Sequence, residues 1–207
     1  MSDDQNTFLF DIGNTLIHLD YETALEEICR FSEVERNRLV ELMEWSGGYH
    51  DLERGAIDFD DFHDFMRSRA GYRGGIERLR QSWCRILSAP VEGIDDLLER
   101  VRQRYRVAFL SNSNEVHAEV IRRRYAPFFR DGDVVLFSHR HGILKPDPAM
   151  FRLACTTLGV EPGAVVFIDD LYENVHGAKQ FGMNAYQFTG TLELTRSLEH
   201  DGLLEKR

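Results

Sequence analysis

Cysteine is scarce in this chain: three residues, Cys29, Cys84 and Cys155, in a sequence of 207. The number is odd and the spacing suits no metal site. A scaffold organised by disulfides or by cysteine-bound metal is therefore excluded. The thiols read as buried or idle groups of a reducing, cytoplasmic protein. Basic residues are also few, 25 Lys and Arg against 35 Asp and Glu, for a formal net charge of -10. Binding a nucleic-acid backbone needs clustered cations, so no nucleic-acid partner is expected. A small phosphorylated ligand held by local positive groups stays compatible with that charge. No apolar run approaches bilayer length, so no membrane partner is expected. Met1-Ser2-Asp3-Asp4 is acidic and polar, unlike a signal peptide. Repeats and low-complexity segments are absent. What remains is ordinary for a globular chain, with 43% hydrophobic and 29% charged residues. The length suffices for one good core plus a small accessory unit. Either a monomer or a homodimer fits.

Five short apolar runs read as strands: residues 7–11, 106–111, 134–138, 164–169 and 185–188. They are continuous rather than alternating, as strands buried on both faces of a parallel sheet must be. Helical patterns over 115–125, 147–158 and 173–181 separate the last four, and Gly159 and Gly182 follow two of them as stop signals. This alternation predicts an α/β fold: a doubly wound, parallel, five-stranded Rossmann-like sheet. The segment between the first two strands is far longer than one crossover and shows no convincing strand. Helical spacing fits 21–31, 33–44, 59–70 and 76–87, with Asp58 and Asp61 placed to cap the third. We expect a helical insertion, or cap, over residues 18–90, and a catalytic core formed by 1–17 and 91–207. A simple packed side bundle fits the same pattern.

Ligands of open parallel sheets bind beyond the carboxyl ends of the strands. Asp11 follows the first run there, Ser111-Asn112-Ser113-Asn114 the second and Asp169-Asp170 the fourth. Lys145, in Leu144-Lys145-Pro146-Asp147, follows the third. One edge thus collects a carboxylate nucleophile, hydroxyl and amide donors, a cation and an acidic pair. Those are the parts of phosphoryl transfer, which is mostly positioning and charge neutralisation. Asp11 would attack phosphorus. Asp170, with Asp169 nearby, Asp11 and the Gly13 backbone carbonyl would hold Mg²⁺, which prefers oxygen ligands. Ser111 and the amide of Asn112 would bind phosphoryl oxygens, and Lys145 would neutralise developing charge. Asn174 lies one helical turn past Asp170 and would orient Lys145 or a metal-bound water. Singly, each also fits a turn, a cap or an ordinary loop. The combination in this order is the signal.

In this order the motifs Asp11-Ile12-Gly13-Asn14-Thr15, Leu110-Ser111-Asn112, Lys145-Pro146 and Asp169-Asp170-Leu171-Tyr172-Glu173-Asn174 resemble the haloacid dehalogenase-like hydrolase superfamily. The resemblance spans nearly the whole chain. It is strongest to bacterial α-D-glucose-1-phosphate phosphatases and to the phosphatase domain of soluble epoxide hydrolases. Glu53-Arg54-Gly55-Ala56-Ile57, Ser111-Asn112-Ser113-Asn114 followed by His117, and Lys145-Pro146-Asp147-Pro148 carry that closer likeness. It implies a cytoplasmic, Mg²⁺-dependent phosphatase acting through an aspartyl-phosphate on Asp11, with Thr15 and Asn174 supporting the ligands. The substrate would be a small phosphorylated metabolite such as a sugar phosphate.

One departure matters. Most phosphatases of this kind carry a second Asp, the general acid, where this chain has Gly13. That role is typically worth about 10²–10⁴-fold. The glucose-1-phosphate phosphatases it resembles also have glycine there. His117 and His50 are the replacement donors that chemistry suggests. Tyr49, His50 and Arg54, in or beside the turn Trp45-Ser46-Gly47-Gly48-Tyr49-His50, are candidate substrate contacts. Packing of Trp45 and Tyr49 between helices, and pairing of Arg54 with Glu53 or Asp51, fit as well. Two other functions share these residues. A metal-free 2-haloacid dehalogenase would also lack the second Asp, although the Asp169-Asp170 pair argues against it. A phosphate-binding or interaction protein impaired by Gly13 is the other.

Overall fold

The computed structural model describes residues 7–45 and 47–206, without the side chains of Glu44 and Trp45. The acidic start of the chain, Ser46 and the Trp45 side chain lie outside the described residues. Strand β1 (Thr7–Phe10) is buried along its whole length. It takes the centre of a five-stranded sheet because both of its faces are apolar. β4 (Arg106–Ser111) and β6 (Val165–Asp169) flank it, β5 (Val134–Phe137) and β7 (Asn184–Gln187) are the edges, and all pairings are parallel. β2 and β3 belong to a separate ribbon described below.

Phe8 and Phe10 face one side of the sheet and Leu9 the other. The first side is covered by α6 (Ile94–Arg102), α7 (Glu115–Arg124) and α10 (Thr191–His200), through residues such as Leu97, Ile121 and Leu198. The second is covered by α8 (Pro148–Leu158) and α9 (Tyr172–Phe181), through Phe151 and Val175. The fold is the expected doubly wound, Rossmann-like α/β sheet. The chain leaves β1 toward β4 on one side and reaches β6 on the other. That reversal opens a crevice at the end of β1.

Five helices fill the insertion: α1 (Tyr21–Cys29), α2 (Arg36–Trp45), α3 (Gly48–Glu53), α4 (Phe59–Ala70) and α5 (Ile76–Cys84). They share a core of their own that includes Leu39, Phe62, Met66, Leu79 and Trp83. Asp58 and Asp61 form the predicted reciprocal cap of α4: each carboxylate accepts the other's backbone N–H, at 2.8 and 3.3 Å.

Three features depart from the sequence reading. The insertion is bracketed by an antiparallel ribbon of β2 (Ile17–Leu19) and β3 (Leu87–Pro90), where no strand was expected. Each strand is too short to show a period, and they are far apart in sequence. Residues 48–53 form a helical turn rather than the expected loop. Helices α6 and α10 were not anticipated, although the apolar faces of Leu97, Leu98, Val101, Leu194 and Leu198 bury against the sheet.

One close contact between the insertion and the sheet domain lies at the end of α3. The Ser138 hydroxyl donates to the Glu53 carbonyl at 2.6 Å and accepts the Ser113 N–H at 2.8 Å. Two residues on, Gly55 adopts φ +70, and a Cβ there would stand 2.2 Å from the His139 carbonyl oxygen. Only glycine allows both the conformation and the approach. Gly55→Ala should therefore cost about 1–3 kcal/mol and lower the melting temperature by several degrees. An unchanged melting curve would show that this contact does not hold the insertion.

Candidate active site

The parallel register delivers the acidic residues to one level. Phe10 is paired with Phe109 and with Ile168, so Asp11 emerges beside Leu110 and Asp169. The Asp11 backbone N–H continues the ladder to the Ile168 carbonyl at 2.8 Å. The chain then reverses through residues 12–17. Asn14 takes the left-handed conformation at φ 51, which asparagine tolerates better than most residues. Its side-chain oxygen accepts the Leu19 N–H at 3.0 Å, and its side chain also hydrogen-bonds Asp170. Asn14 thus shapes the turn and steadies a site carboxylate, a role the sequence reading did not assign.

Lys145 lies at the centre. Its ammonium donates to Asp11 Oδ1 at 2.5 Å, to Asp169 Oδ2 at 2.7 Å and to the Leu110 carbonyl at 2.9 Å. All three donors of the ammonium are satisfied in a buried setting. Burial alone would lower its pKa, but the Asp11 and Asp169 carboxylates outweigh that and hold it above the ordinary lysine value. The loop that presents it is fixed by Asn112. The Asn112 side chain accepts the Lys145 N–H at 2.8 Å and donates to the Lys145 carbonyl at 3.0 Å.

Asp169 is fully buried. It accepts the Leu171 N–H and the Asn174 amide, both at 2.9 Å, on the oxygen that does not meet Lys145. Asn174 therefore reaches Lys145 through Asp169, with no direct contact between them. Asp11, Asp169 and Asp170 each bring an oxygen within 4.8 Å of the others. Burial pushes Asp11 up to about 7, with Asp169 and Asp170 adding to the rise against the pull of Lys145. Burial, then repulsion from Asp169, also raises Asp170. Three carboxylates against one ammonium carry a formal excess of two negative charges. An all-oxygen donor set with that excess fits a divalent cation of the hard type.

Ser111 is buried at the end of β4, its hydroxyl only 3.4 Å from the Asn112 carbonyl. Thr15 is fully buried and its hydroxyl has no partner among the described residues. The candidate proton donor His117 is accounted for differently. Its Nε2 meets the Trp83 carbonyl at 2.9 Å, its Nδ1 meets the Asn114 amide at 3.3 Å, and its ring stacks on Trp83. A carbonyl only accepts, so Nε2 carries the proton and Nδ1 accepts from Asn114. Both nitrogens are thereby engaged: Nε2 ties α7 to α5, and Nδ1 bonds the cap of α7 itself. Arg54 is exposed, and His50 is half-exposed with Nδ1 3.9 Å from Glu53. The Tyr49 hydroxyl is 3.2 Å from the Tyr21 hydroxyl and interacts with the Glu53 carboxyl. Tyr21 and Glu53 were not among the predicted site residues. No periodicity marks them, because their importance comes from burial between the insertion and the core.

A family model for haloacid dehalogenase-like hydrolases matches residues 5–182, and the chain belongs to that family. Over 187 residues it is 24% identical to a D-ribitol-5-phosphate phosphatase of Bacteroides thetaiotaomicron, covering 86% of this chain and 89% of the relative. It is 28% identical over 161 residues to (S)-2-haloacid dehalogenase 4A of Burkholderia cepacia, covering 78% and 68%. Its fold matches the crystal structure of a family enzyme from Bacteroides thetaiotaomicron in complex with magnesium and inorganic phosphate. That match has a TM-score of 0.79 and 24% identity, and covers 90% of this chain and 96% of the other. Among the described residues no helix is long and apolar enough to cross a membrane.

Burial holds the His117 pKa down, to about 4, against the opposing Trp83 hydrogen bond. The unfolded chain takes up that proton near pH 6.5, whereas the folded one takes it up only near pH 4. Stability should therefore fall as pH drops through this window, by about 3 kcal/mol from this residue. Urea unfolding at pH 7 and pH 4.5 should show a smaller loss for His117→Gln than for the wild type. Equal losses would mean that His117 is not held neutral.

Proposed function

We propose that the protein is a Mg²⁺-dependent phosphatase for a small phosphorylated metabolite of the sugar or polyol phosphate class. The observation that carries this is the grouping of Asp11, Asp169 and Asp170 around the Lys145 ammonium at the carboxyl edge of the sheet. Sugar phosphate and polyol phosphate phosphatases among the relatives support the substrate class. The helices of the insertion, over about residues 18–90, would cover the site and exclude water during the first transfer.

Asp11 is the nucleophile: one carboxylate oxygen attacks phosphorus, the bond to the ester oxygen breaks, and an aspartyl-phosphate forms. Water then attacks the same phosphorus and returns the Asp11 carboxylate. Lys145 fixes the attacking carboxylate and balances charge that builds on the phosphoryl oxygens. Ser111 and the Asn112 backbone N–H donate to those oxygens, since the Asn112 side chain is engaged with the Lys145 backbone. Asp169 and Asn174 hold Lys145 in place. Asp11, Asp170 and the Gly13 carbonyl would hold Mg²⁺, with Asp169 adding negative charge from behind. When bound, the ion offsets the repulsion between an anionic nucleophile and an anionic substrate. Metal-free dehalogenation, suggested by the 28% identical relative, is disfavoured because it would leave the clustered carboxylates with only one cation.

Phosphate release should be measured over a panel of sugar phosphates, polyol phosphates and nucleotides. The wild type should require Mg²⁺, and EDTA should abolish turnover. Asp11→Asn should lower the rate by at least about 10³-fold, the order expected for loss of a nucleophile. Equal rates for wild type and Asp11→Asn would refute the proposal. Metal-independent halide release from 2-haloacids would replace it with the dehalogenase reading.

A further inference from the structure

Gly13 leaves the nucleophile without an acidic neighbour two residues on. A Cβ at Gly13 would stand 2.8 Å from Leu19 Cδ1, so Leu19 packs where a side chain at position 13 would begin. With no acid at position 13, the proton for the departing alcohol comes from another group or from water. His117 has both ring nitrogens engaged, and His50 is half-exposed with Nδ1 3.9 Å from the Glu53 carboxylate.

Glu53 occupies a different position. Its residue is only 7% exposed, although it is charged and sits on a short surface helix. Its carbonyl is held by Ser138, which also binds Ser113, two residues beyond Ser111. Its carboxyl interacts with the Tyr49 hydroxyl, lies 3.9 Å from His50 Nδ1 and feels the field of Lys145. Tyr49 in turn meets Tyr21, whose hydroxyl feels Glu53, Asp170 and Asp11 together. The charged and titratable groups around Glu53 are thus Tyr49 and His50 on its own helix, Tyr21 on α1 and Lys145 on the core loop. Asp11 and Asp170 lie beyond Tyr21. Burial pushes the Glu53 carboxyl up to about 7, although Tyr49 and Lys145 both pull it down. A carboxyl poised near neutrality can hold a proton in one step and accept one in the next.

We propose that Glu53 is the proton-transfer residue of the reaction, supplied by the insertion in place of a side chain at position 13. This rests on the phosphatase reading above. In the first half-reaction Asp11 forms its bond to phosphorus as the ester bond breaks. The protonated Glu53 carboxyl gives its proton to the leaving alcohol oxygen and becomes a carboxylate. In the second half-reaction water attacks the aspartyl-phosphate. Glu53 takes a proton from that water as the bond to Asp11 breaks, which releases inorganic phosphate and restores the starting state. The arrangement couples chemistry to closure, because the acid reaches the ester only while the 53–55 segment is seated on Ser138 and His139.

The test is leaving-group dependence. Wild type, Glu53→Gln and Glu53→Asp should be assayed with ribitol 5-phosphate, a poor alkoxide leaving group, and with p-nitrophenyl phosphate, whose phenolate leaves without help. We expect Glu53→Gln to lose about 10²–10³-fold in kcat on the alkyl ester and less than about tenfold on the aryl ester, with KM little changed. Glu53→Asp, which keeps an ionisable carboxyl, should recover at least about tenfold of the alkyl-ester loss over Glu53→Gln. Equal losses on both esters, or a change confined to KM, would assign Glu53 to positioning or binding and overturn the proposal. Should Glu53→Gln unfold, as judged by its melting curve, the proposal stands or falls on Glu53→Asp: it must lose more on the alkyl than on the aryl ester. A wild type that releases no phosphate from either ester, or matches Asp11→Asn on both, would overturn the phosphatase reading itself and Glu53 with it.

Discussion

One buried ammonium organises this molecule. Lys145 donates to Asp11, Asp169 and the Leu110 carbonyl at the point where three adjacent strands end. Removing one partner of such a buried pair typically costs about 3–5 kcal/mol, because the charge left behind is uncompensated. The surrounding structure is arranged to keep that ammonium in place. Asn112 clamps its backbone, Asn174 and the Leu171 N–H fix Asp169, and the sheet register sets Asp11 level with Asp169. Even so, the cation does not neutralise its neighbours. The surplus negative charge is where the fold turns from stability toward function, because it favours a divalent cation and disfavours a metal-free site.

A second constraint is the seating of the helical insertion. Gly55 packs against the backbone at His139, Ser138 bridges Glu53 and Ser113, and His117 is tied to the Trp83 carbonyl. These contacts bring Tyr21, Tyr49 and Glu53 over the carboxyl edge of the sheet. In the proposed mechanism the core supplies the nucleophile and its electrostatics. The insertion supplies a buried carboxyl, Glu53, whose backbone is held by Ser138. In this view Gly13 is compensated from the opposite side of the site, and the insertion has a part in the chemistry as well as in choosing the substrate.

Much of this was legible in the sequence. The continuous apolar runs identify the buried parallel strands, because no other short element carries such a pattern. The acids, amides and lysine that follow them in order identify the site edge. Asp58 and Asp61 identify their helix start. Features formed between distant segments were not legible. The ribbon of Ile17–Leu19 with Leu87–Pro90 is a pairing of two fragments too short to show a period. Asn174 reaches Lys145 only through Asp169, a contact set by side-chain geometry. His117 has the chemistry of a donor, but burial and two hydrogen bonds, one to the Trp83 carbonyl and one to the Asn114 cap, engage both of its nitrogens. Glu53 looks like a surface acid in Tyr49-His50-Asp51-Leu52-Glu53-Arg54, and only its burial against the core reveals a raised pKa.

The claim beneath all of this is that Asp11 forms a covalent bond to phosphorus. Peptide mass spectrometry of protein quenched in acid during steady turnover with Mg²⁺ tests it most directly. A phosphoryl adduct on the peptide containing Asp11, absent without substrate and absent in Asp11→Asn, is the predicted result. Sustained turnover with no adduct on Asp11, or with the adduct on another residue, would contradict it.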